Sequence, residues 1–300
     1  MQRRYVTVDV FTERVFGGNP LAVVLDAEGL TSAQMQAIAT EFNYSETTFV
    51  LPPQFPEHSA RVRIFTPRTE VPFAGHPNVG TAVVFARERG DRRPPLDRIV
   101  FEEAAGLVPI RLVSEQSKTV GAEFMAPQSL AFGSVVSAAD VAECLSLAAS
   151  DINLVSHSPQ VLSVGLPFAI AELVSRDALR RAKPNLATHE RVLTPIGTDA
   201  IFCYCRAAPH ELHARMFAPL DSIVEDPATG SAAAATISRL ASLQSARDGD
   251  VSWRIEQGVD MGRPSLIRGR TERSNGTVTA VHIGGQVVPV MSGVLDVPEF

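Results

Sequence analysis

PFAGHP at residues 72–77 and PATGS at residues 227–231 follow one plan: a proline, small or aromatic spacers, then a glycine with a polar side chain after it. The flanks repeat as well. RIFTP from Arg63 is echoed by RMFAP from Arg215, and Glu70 before the first turn by Glu225 before the second. Working outward, Pro20 of PLAVVL pairs with Pro167 of PFAIAEL, and Gly106 pairs with Gly258. These matches (Pro20/Pro167, Arg63/Arg215, Gly75/Gly230, Gly106/Gly258) keep their order at offsets of 147, 152, 155 and 152 residues. A nearly constant offset over ordered segments is the signature of a duplicated domain with small loop insertions.

The 300 residues suffice for two such halves, each large enough for its own core. We place the first domain at 1–127 and the second at 128–284, with a last strand at about 285–300 returning to the first. With 45% apolar and 20% charged residues, the chain has the composition of a soluble globular protein. A net charge of −6 argues against a nucleic-acid surface. Asp9, Thr12 and Glu13 interrupt the N-terminal apolar stretch before it reaches signal-peptide length, and no run of 18 apolar residues is present to span a membrane. Cys144, Cys203 and Cys205 are too few for a disulfide framework and read as small core residues of a reduced, cytoplasmic protein.

Strand-like alternation at residues 5–11 precedes a turn at FGGN (16–19) and a buried-strand pattern at 20–26. Thr31 and Gln34 form a capping box for a helix reaching about Phe42. Further strands are expected at TTFVL and at 60–65, and a helix from about Pro77 to Arg89. The run RERGDRRPPLDR (87–98) reads as a solvated loop, and the patterns lapse around 126–133. In the second half helices are expected at 137–149, from Asp177 and from Ser231, with strands across VLSVGL and IFCYCRAA. The fold class is α+β: two pseudo-symmetric domains, each a barrel-like mixed or antiparallel sheet around a central helix.

A glycine directly before a helix admits close backbone approach, and the first-turn N–H groups have no partner within the helix, so Gly75–His76 and Gly230–Ser231 are candidate anion cradles. Glu46, Asp226 and His76 supply the carboxylates and imidazole that proton transfer between two atoms requires. His210 and His213 are spaced like metal ligands but lack an evident third, so no metal site is expected. No GxSxG, GxGxxG or phosphate-loop sequence is present.

EFNYSETTFVL, FTPRTEVPFAGHPNVGTA, VEDPATGSAAAA and QGVDMGRPS together resemble the signature segments of the phenazine biosynthesis PhzF-like family, relatives of diaminopimelate epimerase. The resemblance runs from the first strand to the last. It implies an active site between two similar domains, a homodimer, no cofactor and no metal, and an isomerase acting on a small carboxylate-bearing metabolite. The family's proton-shuttling glutamate falls on Glu46, its glycine–histidine turn on Gly75 and His76, and its aspartate and serine on Asp226 and Ser231. The epimerase relatives use two cysteines; here none lies in either glycine turn. The competing reading is a small-molecule-binding or regulatory protein that keeps the cleft without turnover.

Overall fold

The computed structural model describes residues 1–90, 96–116, 118–221 and 223–299. The chain divides into two compact units, one of Met1–Phe124 with Gly284–Phe300 and one of Met125–Ile283.

The first unit runs β1 (Gln2–Val10), β2 (Asn19–Val24), α1 (Ser32–Phe42), β3 (Glu46–Leu51), β4 (Ala60–Phe65), β5 (Glu70–Val71), α2 (Gly75–Glu88), β6 (Arg98–Glu103), β7 (Gly106–Glu115) and β8 (Lys118–Met125). The second runs β9 (Ala131–Val135), α3 (Ala138–Cys144), β10 (Gln160–Ser163), β11 (Pro167–Glu172), α4 (Arg176–Arg181), α5 (Leu186–Leu193), β12 (Ile201–Ala208), β13 (Glu211–Ala218), β14 (Ile223–Asp226), α6 (Gly230–Ser242), β15 (Gly249–Gln257), β16 (Ser265–Ser274) and β17 (Thr277–Asp296), whose C-terminal part belongs to the first unit.

The pairing series is the same in both. β1–β2 and β10–β11 are antiparallel, and β2–β3 and β11–β12 are parallel. β3–β4 and β12–β13 are antiparallel, β4–β6 and β13–β15 parallel, β6–β7 and β15–β16 antiparallel. Each parallel step spans a helix, because parallel neighbours need a crossover. The sheet is therefore mixed. In the first unit β7 pairs with β8, β8 with β17, and β17 with β1, which closes the sheet into a barrel.

A helix inside such a barrel must be apolar or small on every side. All residues from Gly75 to Val84 are buried in α2, and α6 buries Gly230, Ala232 to Ser238, Leu240 and Ala241. Their polar members bond locally: Asn78 Nδ2 donates to Ala74 O at 3.0 Å, and Thr236 Oγ1 to Ala232 O at 2.8 Å. Helix and sheet touch so closely that a Cβ at Gly80 of α2 would lie 2.5 Å from Leu21 Cδ2, and one at Gly269 of β16 would overlap Ile237 of α6.

The repeated Arg and Glu make the same contact in each unit. Arg63 Nε and Nη2 donate to both oxygens of Glu70 at 2.7 and 2.6 Å, and Arg215 does so to Glu225 at 2.8 and 2.7 Å. Each guanidinium also lies over the phenylalanine two positions on, 5.0 Å from Phe65 and 4.7 Å from Phe217. Arginine-x-phenylalanine is thus the fork of a bidentate clamp between adjacent strands.

Several expected boundaries move. α2 begins at Gly75 rather than Pro77, and α6 at Gly230 rather than Ser231. The helix expected at 137–149 stops at Cys144, where Ser146 adopts φ 55° and the carbonyls of Cys144 and Leu145 accept from Asn185 and Lys183. The stretch 126–133 contains the start of β9, which is exposed along its whole length and so lacks alternation. Of the charge run 87–98, Arg87 and Glu88 finish α2 and Arg98 opens β6; residues 91–95 lie outside the described residues.

Candidate active site

Glu46 opens β3 just after α1, which ends on Asn43 in the left-handed region at φ 51°. His76 is the second residue of α2 and is 6% exposed. Its Nε2 lies 3.3 Å from Glu46 Oε2, and its Nδ1 lies 3.3 Å from the side-chain nitrogen of Asn19, the first residue of β2. An amide nitrogen only donates, so Nδ1 is the acceptor and Nε2 carries the proton; that N–H stands within ion-pair range of the Glu46 carboxylate but does not form a hydrogen bond with it. Burial pushes His76 down to about 3, so this ring is neutral at physiological pH. A neutral ring beside a carboxylate does not lock it as an anion in the way a cation would.

Asn19 escaped the sequence reading, which saw FGGN only as a turn. The available signal was its place next to Pro20, at the mouth of a fully apolar strand, where an amide has no purpose unless it meets a partner.

In the second unit Asp226 ends β14, 5% exposed, and its Oδ2 accepts from Thr229 Oγ1 at 2.6 Å. Gln257, at the end of β15, clamps the same turn three ways. Its Nε2 donates to Asp226 O at 2.9 Å and to Thr229 Oγ1 at 3.0 Å, and its Oε1 accepts from Thr229 N at 3.1 Å. Gly230 is buried and Ser231 half-buried in the first turn of α6. Sequence reading missed Gln257, and its expected pairing of Gly106 with Gly258 does not hold: Gly106 opens β7 opposite Glu103, whereas Gly258 follows Gln257, which pairs with Ser265. The structure thus gathers Glu46, Gly75 and His76 in one unit, and Asp226, Gly230 and Ser231 in the other.

The two central helices share one further property. Thr31, Ser137, Ser175 and Asn185 cap α1, α3, α4 and α5 with their side chains, whereas α2 starts from Ala74 and α6 from Thr229 with no side-chain cap. First-turn N–H groups left uncapped, at the positive end of the helix dipole, suit an anionic group.

Other candidates are absorbed by structure. His210 Nε2 meets the Gln244 amide at 3.0 Å and its ring packs on Trp253, while His213 Nδ1 lies 3.4 Å from Glu256. Among the described residues no group of three or more His, Cys, Asp or Glu is arranged to hold a metal ion. Cys144, Cys203 and Cys205 all sit in the apolar core of the second unit, and burial pushes the Cys144 and Cys203 thiols up to about 12. Among the described residues no helix is long and apolar enough to cross a membrane.

Known proteins resemble this chain over nearly its whole length. An uncharacterized isomerase of Mesorhizobium japonicum is 41% identical over 98% of each chain. The trans-2,3-dihydro-3-hydroxyanthranilate isomerase of Pseudomonas aeruginosa is 36% identical over 94% of this chain and 95% of its own. The crystal structure of a Bacillus anthracis phenazine biosynthesis protein of the PhzF family superposes with a TM-score of 0.86, at 26% identity, over 99% of this chain and 100% of that one. With residues 8–293 matched by the family model described as phenazine biosynthesis-like protein, this chain belongs to that family and is an isomerase.

Proposed function

We propose that the protein is a cofactor-independent isomerase that moves a proton within a small ring or chain metabolite bearing a carboxylate, with Glu46 as base and then acid. The observation that carries this reading is the Glu46–His76–Asn19 arrangement, in which a neutral imidazole lies 3.3 Å from a half-buried carboxylate. Glu46 takes a proton from one substrate carbon, the electron pair moves through the adjacent unsaturated system, and the protonated Glu46 returns that proton elsewhere on the same molecule. No net oxidation occurs, so the step calls for no redox partner. The substrate carboxylate rests on the uncapped first turn at Gly75–His76 or at Gly230–Ser231, and Asp226 holds the second of these turns in shape through Thr229.

The substrate of the Pseudomonas aeruginosa relative, a dihydro-hydroxyanthranilate, is of this chemical class and is the natural probe. Incubated in deuterium oxide with the protein, it is expected to gain deuterium at carbon, and to do so far more slowly with Glu46→Gln. Binding without exchange would overturn the enzymatic reading in favour of a binding protein.

A further inference from the structure

Strand register carries Glu103 to the place that Gln257 holds in the other unit. β4 and β6 pair in parallel with Arg61 opposite Glu102, and β13 and β15 pair in parallel with His213 opposite Glu256. Arg61 and His213 each stand two positions before the repeated arginine, so they are counterparts, as are Glu102 and Glu256. The next residues, Glu103 and Gln257, then correspond. Both follow an inward-facing apolar pair, Ile99 and Phe101 in one case and Trp253 and Ile255 in the other, and both end a strand that packs against the central helix.

Gln257 grips its glycine turn with an amide. Glu103 has a carboxyl group there, and its chemistry is incomplete if ionised. Neither of its buried oxygens meets hydrogen-bond geometry with another group, nor does Oδ1 of Asn78 on α2, although the Asn78 amide lies close enough to Glu103 to favour its charged form. The other end of the Asn78 amide donates to Ala74 O, directly before Gly75 and His76. A carboxylate brings no proton to Asn78 Oδ1. A carboxylic acid does, and one O–H donated to Asn78 Oδ1 removes an unsatisfied atom on each side.

We propose that Glu103 works as a neutral, protonated acid that holds the Gly75–His76 turn through Asn78, as the Gln257 amide holds the Asp226–Gly230 turn. It is a positioning residue: Glu103 fixes Asn78, Asn78 fixes the Ala74 carbonyl, and the turn keeps His76 aimed at Glu46. Its surroundings agree. Burial pushes the Glu103 carboxyl up to about 8, and only the Asn78 amide opposes the shift. The charged groups of the flanking elements are engaged elsewhere. Arg63 of β4 is clamped to Glu70, Arg111 of β7 is bonded to Glu123, and Glu102 accepts from Gln54 N, Phe55 N and His58. Arg61 of β4, Glu115 of β7, Arg98 of β6 and the neutral His76 of α2 add nothing to the shift.

The consequence for function rests on the proton-shuttle reading above; the protonation of Glu103 does not, and the two are separable by experiment. Because the folded protein holds this proton more tightly than the unfolded chain, stability from this group is full below the ordinary carboxylate pKa and is lost as pH rises to about 8. Glu103→Gln, which mimics the acid, is expected to match the wild-type Tm at about pH 5 and to exceed it increasingly up to about pH 8, with a constant difference above. Parallel Tm curves would overturn the proposal. If Glu103→Gln does not fold, infrared spectroscopy of the wild type decides: a protonated-carboxyl C=O band should disappear with a midpoint near pH 8, and its absence at neutral pH would overturn the proposal equally. In deuterium exchange on the dihydro-hydroxyanthranilate probe, wild type should slow above about pH 8, Glu103→Gln should hold its rate into the alkaline range, and Glu103→Ala should be slower throughout. Coincident profiles for wild type and Glu103→Gln would refute the positioning role even if Glu103 proves to be protonated.

Discussion

His76 Nε2 and Glu46 Oε2 stand 3.3 Å apart, one at the start of the buried helix and one at the mouth of a strand, with the imidazole fixed from behind by Asn19. The carboxylate faces a ring that burial keeps neutral.

Glu46→Gln preserves size and most hydrogen bonding but removes the proton acceptor. Deuterium exchange into the probe should fall by roughly 100- to 10,000-fold with an unchanged Tm. Equal exchange rates in variant and wild type would remove Glu46 from the chemistry.

His76 should not titrate between about pH 5 and 9, a direct NMR observable, since its folded pKa is near 3. A depressed folded pKa gives stability present above the unfolded value of about 6.5 and lost as pH falls toward 3. Wild type should therefore lose stability over that acid window more steeply than His76→Gln, measured by denaturant unfolding at each pH.

The two repeated clamps should differ in cost. Arg215 and Glu225 have side chains only 10% and 11% exposed, and Arg215 Nη1 also donates to the carbonyls of Leu179, Arg180 and Ala182. Glu225→Gln leaves a buried cation short of its partner and should cost about 3–5 kcal/mol. Glu70, 37% exposed beside Arg63, should cost about 0–1 kcal/mol on the same change, by urea unfolding.

Gly80→Ala would ordinarily stabilise a helix interior by about 1 kcal/mol. Here the added methyl would meet buried Leu21 Cδ2 at 2.5 Å and Val10 Cγ2 at 2.8 Å, so a net loss of about 1–2 kcal/mol is expected.

Replacing Cys144, Cys203 and Cys205 together by alanine should lower stability by a few kcal/mol, roughly 1 per buried sulfur, and leave proton exchange intact. Loss of exchange in a folded triple variant would restore a thiol mechanism.

The duplicated glycine turns, the Arg-x-Phe…Glu echoes and the capping box at Thr31 and Gln34 were legible in the linear chain, because each is set by residues near in sequence: a turn needs its glycine, a cap its neighbour three positions on. Glu46, Gly75 and His76 were picked out in the same way, as parts of continuous motifs. The unmarked features depend on distant strands. Asn19 matters because β2 lies beside α2, and Gln257 because β15 ends at the turn before α6. β9 carried no signal because all its residues are exposed. Above all, the chain could not say whether His76 is a cation or Glu103 an anion. Charge state is set by desolvation, a sum over every group packed around the atom, and that sum exists only once the barrel has closed on its helix.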